Sequence, residues 1–173
     1  MRGTASGYGQ QPSFQVEVQT ASPARYPLQV GGGIVSQGVI DAARDIGTYL
    51  PAYPHVRTWF LVMGTNDMCR GAAAYVPLAQ TWIDAVKAAG HVPVLVHPIW
   101  GNEVKEYCSA NGPSFVAAID ALVAKNKLLP AVPLYEATVG HKEYFGSGDV
   151  HPNEAGCRVW NRTFATAAKS PRP

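Results

Sequence analysis

Cysteine is scarce in this chain: Cys69, Cys108 and Cys157 are the only three, with no Cys-x-x-Cys and no paired Cys/His cluster. That spacing argues against a structural zinc site and limits the chain to one internal disulfide. Charge is sparse as well. Charged residues make up 15%, and fourteen Lys and Arg against twelve Asp and Glu leave a formal charge of +2 with no basic cluster. No nucleic acid partner is expected, because binding a run of phosphates needs a stripe of cations. Long apolar runs are missing too, since Pro, Gly or a polar residue interrupts each after a handful of positions; no membrane span is expected. The 47% hydrophobic content argues against intrinsic disorder. The first ten residues lack the apolar stretch of a secretory signal. At 173 residues the chain can bury one core but not two, so residues 1–173 are expected to form a single domain.

What is present alternates between short apolar runs and longer amphipathic stretches. Phe14, Val16 and Val18 alternate with polar residues and predict a half-buried strand. Trp59 to Met63, Val92 to Val96 and Ala131 to Tyr135 are continuously apolar, as strands buried on both faces are. Between them, Val39, Ala43, Ile46 and Leu50 have helical spacing behind Ser36 as an N-cap. A second helix is predicted with Pro77 in its first turn, Leu78, Trp82, Ala85 and Ala89 on one face, and Gly90 as its stop. A third runs from near Pro113 to about Asn126, with Phe115, Ile119 and Leu122 inward. The last follows His151-Pro152-Asn153 and presents Trp160 and Phe164. The pattern predicts an α/β fold, a three-layer sandwich of parallel sheet with helices on both faces. Chemistry then belongs in the loops beyond the carboxyl ends of the strands.

Two loops satisfy that criterion. Gly64-Thr65-Asn66-Asp67 follows a predicted strand, and an amide at Asn66 can donate to an oxyanion; the same residue types also make an ordinary turn. Gly146-Ser147-Gly148-Asp149-Val150-His151-Pro152-Asn153 precedes the last helix. There Asp149 beside His151 suits a general base, or Asp149 and Asn153 merely cap a helix. His55, His91, His97 and His141 have no carboxylate at useful spacing and are expected to be structural.

Taken together, Gly-x-Asn-Asp after a central strand and an Asp, His, Pro cluster near the C-terminus resemble the SGNH (GDSL) hydrolase family of serine esterases. The resemblance runs from about Tyr8 to Phe164. It implies the flavodoxin-like SGNH fold and hydrolysis of small acyl esters, such as acetyl groups on carbohydrate. His151 and Asp149 would be catalytic, and Asn66 and a backbone N–H at Gly33 would form the oxyanion hole, with Gly31 and Gly32 near equals of Gly33. It implies no metal and no organic cofactor, a small-molecule or carbohydrate ester as partner, and nothing about oligomeric state.

The sequence departs from the family at two points. No Gly-Asp-Ser occurs, so the nucleophile is not identified, and Met1 to Pro12 resembles the stretch that follows that motif; the chain is expected to begin downstream of the family's first strand. Gly148 stands three before His151 where relatives carry Asp, which leaves Asp149, two before it, as the orienting carboxylate. Ser6 lies in a Gly-rich segment with no strand ahead to position it. Val35-Ser36-Gln37-Gly38 resembles the nucleophile elbow of cutinases and related α/β-hydrolases, although Ile34 replaces the elbow's first glycine. A different class stays open: a non-catalytic carbohydrate- or ester-binding domain, with Trp100 lining the pocket or, as a Trp at a strand end more often is, part of the core. Cys69 and Cys108 follow neighbouring predicted strands at one sheet edge and either form a disulfide, which would point to a periplasmic or secreted protein, or remain two reduced thiols. Cys157 is expected to stay unpaired on the last helix.

Overall fold

The structure, a computed structural model, describes residues 14–26, 30 and 36–169. Its centre is a parallel pair, β1 (Thr58–Leu61) and β2 (Val92–Leu95), in register from Thr58 opposite Val92 to Leu61 opposite Leu95. A parallel bridge between Val96 and Val132 extends the sheet by one contact. The helices are α1 (Phe14–Ala21), α2 (Val39–Ala52), α3 (Ala72–Ala88), α4 (Gly112–Asn126), α5 (Leu134–Thr138) and α6 (Glu154–Lys169).

Successive strand residues face opposite sides, and the core divides accordingly. Trp59, Leu61 and Leu95 point into a cluster with Ile46 of α2, Ile83 of α3 and Phe115 of α4. Phe60, Val94 and Val96 point into a second cluster with Val18 of α1, Leu134 of α5 and Phe164 of α6. Helices therefore cover both faces, and the fold is the three-layer α/β sandwich predicted from the sequence. Leu61, Phe115 and Phe164 are each at most 2% exposed, and side chains of this kind contribute about 1.5–3 kcal/mol apiece by burial.

Several expectations need correction. Phe14 to Gln19 is not a strand but lies in α1, which packs on α6. Val18 is buried while Val16 is 48% exposed, so the alternation of these six residues reported neither face of a sheet. Ala131 to Tyr135 makes only the Val132 bridge before α5 begins at Leu134. Pro130, two residues before Val132 and on the same side of the ladder, has no N–H to lengthen it, and the Leu134 N–H turns back onto the Val132 carbonyl at 2.8 Å. The N-cap of α2 is Gly38, not Ser36. Helix α3 starts at Ala72 after Gly71, so Pro77 lies inside the helix, beyond its first turn.

The end of α3 falls where predicted. Gly90, at φ 75°, donates to the Lys87 carbonyl at 2.9 Å, and His91 donates to Val86 at 3.1 Å. That is the paired closure of a Schellman motif. Helix α4 ends in the same way with Lys127 at φ 52°, where Lys127 and Leu128 donate to Ala124 and Val123.

Candidate active site

Beyond the carboxyl end of β1 the chain turns through Gly64 into a 3₁₀ segment, Thr65–Arg70. Asp67 is buried there, and both its oxygens lie 3.1 Å from the Val39 N–H at the start of α2. Burial pushes its carboxyl above the usual range, against the Val39 bond that favours the anion. Gly38 has no side chain with which to cap α2, so Asp67 caps it from a distance. A Cβ at Gly38 would stand 2.5 Å from Asp67 Oδ1, which explains the glycine.

Asn66 is exposed, and its Nδ2 donates to the Gln37 carbonyl at 2.9 Å. One of the two amide N–H bonds is thereby fixed, and it orients the other. Next to Gln37, Ser36 is exposed with φ 63°, a left-handed backbone rare for serine. Gly31, Gly32 and Gly33, and Ser6, lie outside the described residues.

The second loop closes with an antiparallel bridge between Phe145 and Pro152. Within it, His151 Nδ1 lies 2.7 Å from Asp149 Oδ1, and the same oxygen accepts the His151 backbone N–H at 3.0 Å. Two-residue spacing thus suffices for the pair, because one carboxylate oxygen holds both the peptide and the ring. The His151 backbone N–H, ahead of the ring bond, holds the Asp149 carboxyl below the usual range. Asn153 caps α6 through Oδ1, which accepts from Ala155 and Gly156 at 3.0 and 3.2 Å. The pair and the cap coexist on different residues.

Two of the four histidines expected to be structural have carboxylate partners that the sequence did not show. His97, buried beyond β2, has Glu136 Oε2 2.8 Å from Nδ1 and Asp120 Oδ1 3.1 Å from Nε2, which ties β2 to α5 and α4. The carboxylates come from 23 and 39 residues downstream, beyond any local spacing rule. His141 is bonded to Glu143. Trp100 is 5% exposed and packs edge-on against Phe145, so it belongs to the core. Cys69 and Cys108 form a disulfide with Cα atoms 5.1 Å apart, and Asn111 Nδ2 donates to the Met68 carbonyl beside it. Cys157 is a free thiol, raised in pKa by burial. No helix among the described residues is long and apolar enough to cross a membrane.

The fold has a solved counterpart. A mutant of Axe2, an acetyl-xylooligosaccharide esterase from Geobacillus, matches 98% of this chain and 89% of its own at a TM-score of 0.73. Sequence identity is 17%, so the likeness establishes the fold. No family model matches the chain, and no curated protein matches it in sequence.

The sequence marks Asp149, His151 and Asn66 as candidates but not the residues that hold them. Gln37 acts through a backbone carbonyl, which leaves no sequence signal. Asn102, whose amide donates to the Asp149 and Gly146 carbonyls, was marked only by a Gly-Asn turn pair.

Proposed function

We propose that this chain is a carboxylic ester hydrolase of the SGNH type, acting on small acyl esters and above all on acetyl groups of carbohydrate. The observation that carries the reading is the 2.7 Å bond between Asp149 and His151 in a loop of this fold. The acetyl-xylooligosaccharide esterase neighbour supports the substrate class.

With its Nδ1–H directed at Asp149, the neutral imidazole has its basic nitrogen at Nε2. His151 takes the proton of a serine hydroxyl as that oxygen attacks the ester carbonyl, then passes it to the departing alcohol; water repeats the sequence to release the acid. Asp149 fixes the tautomer and stabilises the imidazolium. The second N–H of the Asn66 amide, with Gly33 N–H, donates to the tetrahedral oxyanion. The Cys69–Cys108 disulfide favours a periplasmic or secreted setting.

The nucleophile is not assigned by resemblance. One observation favours a second reading for it: Ser36 is exposed at φ 63°, adjoins the residue that orients Asn66, and stands just ahead of α2, as an elbow serine stands before its helix. Hydrolysis of p-nitrophenyl acetate by the full chain and by Ser36→Ala and His151→Ala variants tests both. Loss in both variants supports Ser36 as nucleophile, and loss in His151→Ala alone places the nucleophile elsewhere. No hydrolysis by the unmodified chain would favour a non-catalytic binding domain.

A further inference from the structure

Asp149 ends a loop, Gly146-Ser147-Gly148-Asp149, that leads into His151 two residues on, and its two glycines give it little stiffness of its own. What meets that loop is a turn beyond β2. Gly101-Asn102-Glu103-Val104 closes with the Val104 N–H on the Gly101 carbonyl at 2.9 Å, and its central residues have φ of 49° and 59°. Positive φ at both positions is the mark of a type I′ turn, which elsewhere favours Asn-Gly and joins hairpin strands. Here no hairpin is joined, and glutamate occupies the glycine position.

Such backbone persists only where its surroundings over-determine it. Three contacts do so. The buried Ser109 hydroxyl lies 2.7 Å from the Gly101 carbonyl and 2.9 Å from that of Val104, at the two ends of the turn. Glu103 pairs with Lys142 Nζ at 2.6 Å. Asn102 Nδ2 donates to the carbonyls of Asp149 at 3.1 Å and Gly146 at 3.4 Å. Ser109 adjoins Cys108, whose disulfide leads to the Asn66 loop, so the turn is braced from the opposite side as well.

We propose that Asn102 is the positioning residue of the Asp149–His151 pair, its amide pinning both ends of the glycine-bearing loop to a turn held in a left-handed conformation. The inference rests on the catalytic reading of that pair. Among residues that tolerate left-handed backbone, glycine brings no side chain and aspartate brings acceptors only, so asparagine supplies the two N–H donors on a short stem.

The test uses full-length Asn102→Gly, which keeps the turn and removes the amide. Backbone amide exchange at Asp149 and His151 and the imidazole ¹⁵N shifts of His151 are followed, with α4 amides as the internal reference. Exchange at His151 is expected to accelerate about tenfold or more, and the Nδ1–H tautomer to lose population, with α4 unchanged. Asn102→Asp, equally at ease in the turn but without a donor, is expected to accelerate exchange likewise. Unchanged exchange and tautomer in folded Asn102→Gly overturn the proposal. Acceleration shared equally by α4 also overturns it, since Asn102 would then serve global stability. Hydrolysis of p-nitrophenyl acetate on the same samples separates the two claims. If the unmodified chain is active and Asn102→Gly keeps full kcat, the positioning role is overturned. If no sample is active while the exchange and tautomer changes occur, the esterase reading fails and the pinning of the pair stands.

Discussion

Asp67 and Asp149 respond to pH with opposite signs. Burial raises the Asp67 carboxyl, so the folded chain keeps that proton to a higher pH than the unfolded chain does. Its contribution to stability is present below the unfolded value of ~3.9 and is lost as pH rises through the folded value. Asp149 is lowered by the His151 backbone N–H, so its contribution is present above ~3.9 and is lost as pH falls through its folded value. Denaturant unfolding between pH 3 and 7 is therefore expected to show Asp67→Asn gaining on the parent as pH rises. Asp149→Asn is expected to lose least at the acid end, and only slightly, because this carboxylate is partly exposed and screened by solvent. At Asn66 the expected effect is kinetic. In hydrolysing chain, Asn66→Ala lowers kcat by about 10²–10³ with KM little changed, as measured by steady-state kinetics on an acetyl ester. An unchanged kcat would return Gly64 to Asp67 to the status of an ordinary turn.

Among the elements, the start of α2 is where fold and site meet. Asp67 caps this helix while its neighbour Asn66 is held by Gln37, one residue before the Gly38 cap. Gly38→Ala forces its Cβ against Asp67 Oδ1, and a loss of about 1–3 kcal/mol in denaturant unfolding is expected. The same displacement is expected to move Gln37 and, on the proposed esterase reading, to lower hydrolysis of p-nitrophenyl acetate. The end of α4 offers the reverse case. Lys127 is left-handed without being glycine, so Lys127→Gly is expected to stabilise by about 0.5–1 kcal/mol, relieved strain outweighing added unfolded-state freedom. Helices with wide apolar faces were legible in the sequence: α4 begins and ends within a residue of its expected limits, since Pro113 starts it and Phe115, Ile119 and Leu122 face inward. Helix α1 was not legible. Its eight residues are too few for a period of 2 and a period of 3.6 to separate, and only packing of Val18 beside α6 decides between them.

For the whole molecule, the sequence pattern reached the layer order because strands buried on both faces and amphipathic helices between them leave few alternatives. It reached Asp149 and His151 because they are local to each other. It did not reach the two carboxylates on His97, the cap on α2 or the Asn102 contact, since each joins segments more than 20 residues apart through tertiary folding alone. The Cys69–Cys108 disulfide, with a sequence separation of 39, joins the Asn66 loop to the segment beside the Asn102 turn. Its reduction is expected to lower stability by about 2–4 kcal/mol, read as a fall in melting temperature on adding reductant. The most direct test of the proposed esterase activity is acetate release from an acetylated oligosaccharide by the full chain and by His151→Ala. Release by the full chain that falls to background in His151→Ala is the predicted result, and either no release from the full chain or release that persists without His151 would contradict it.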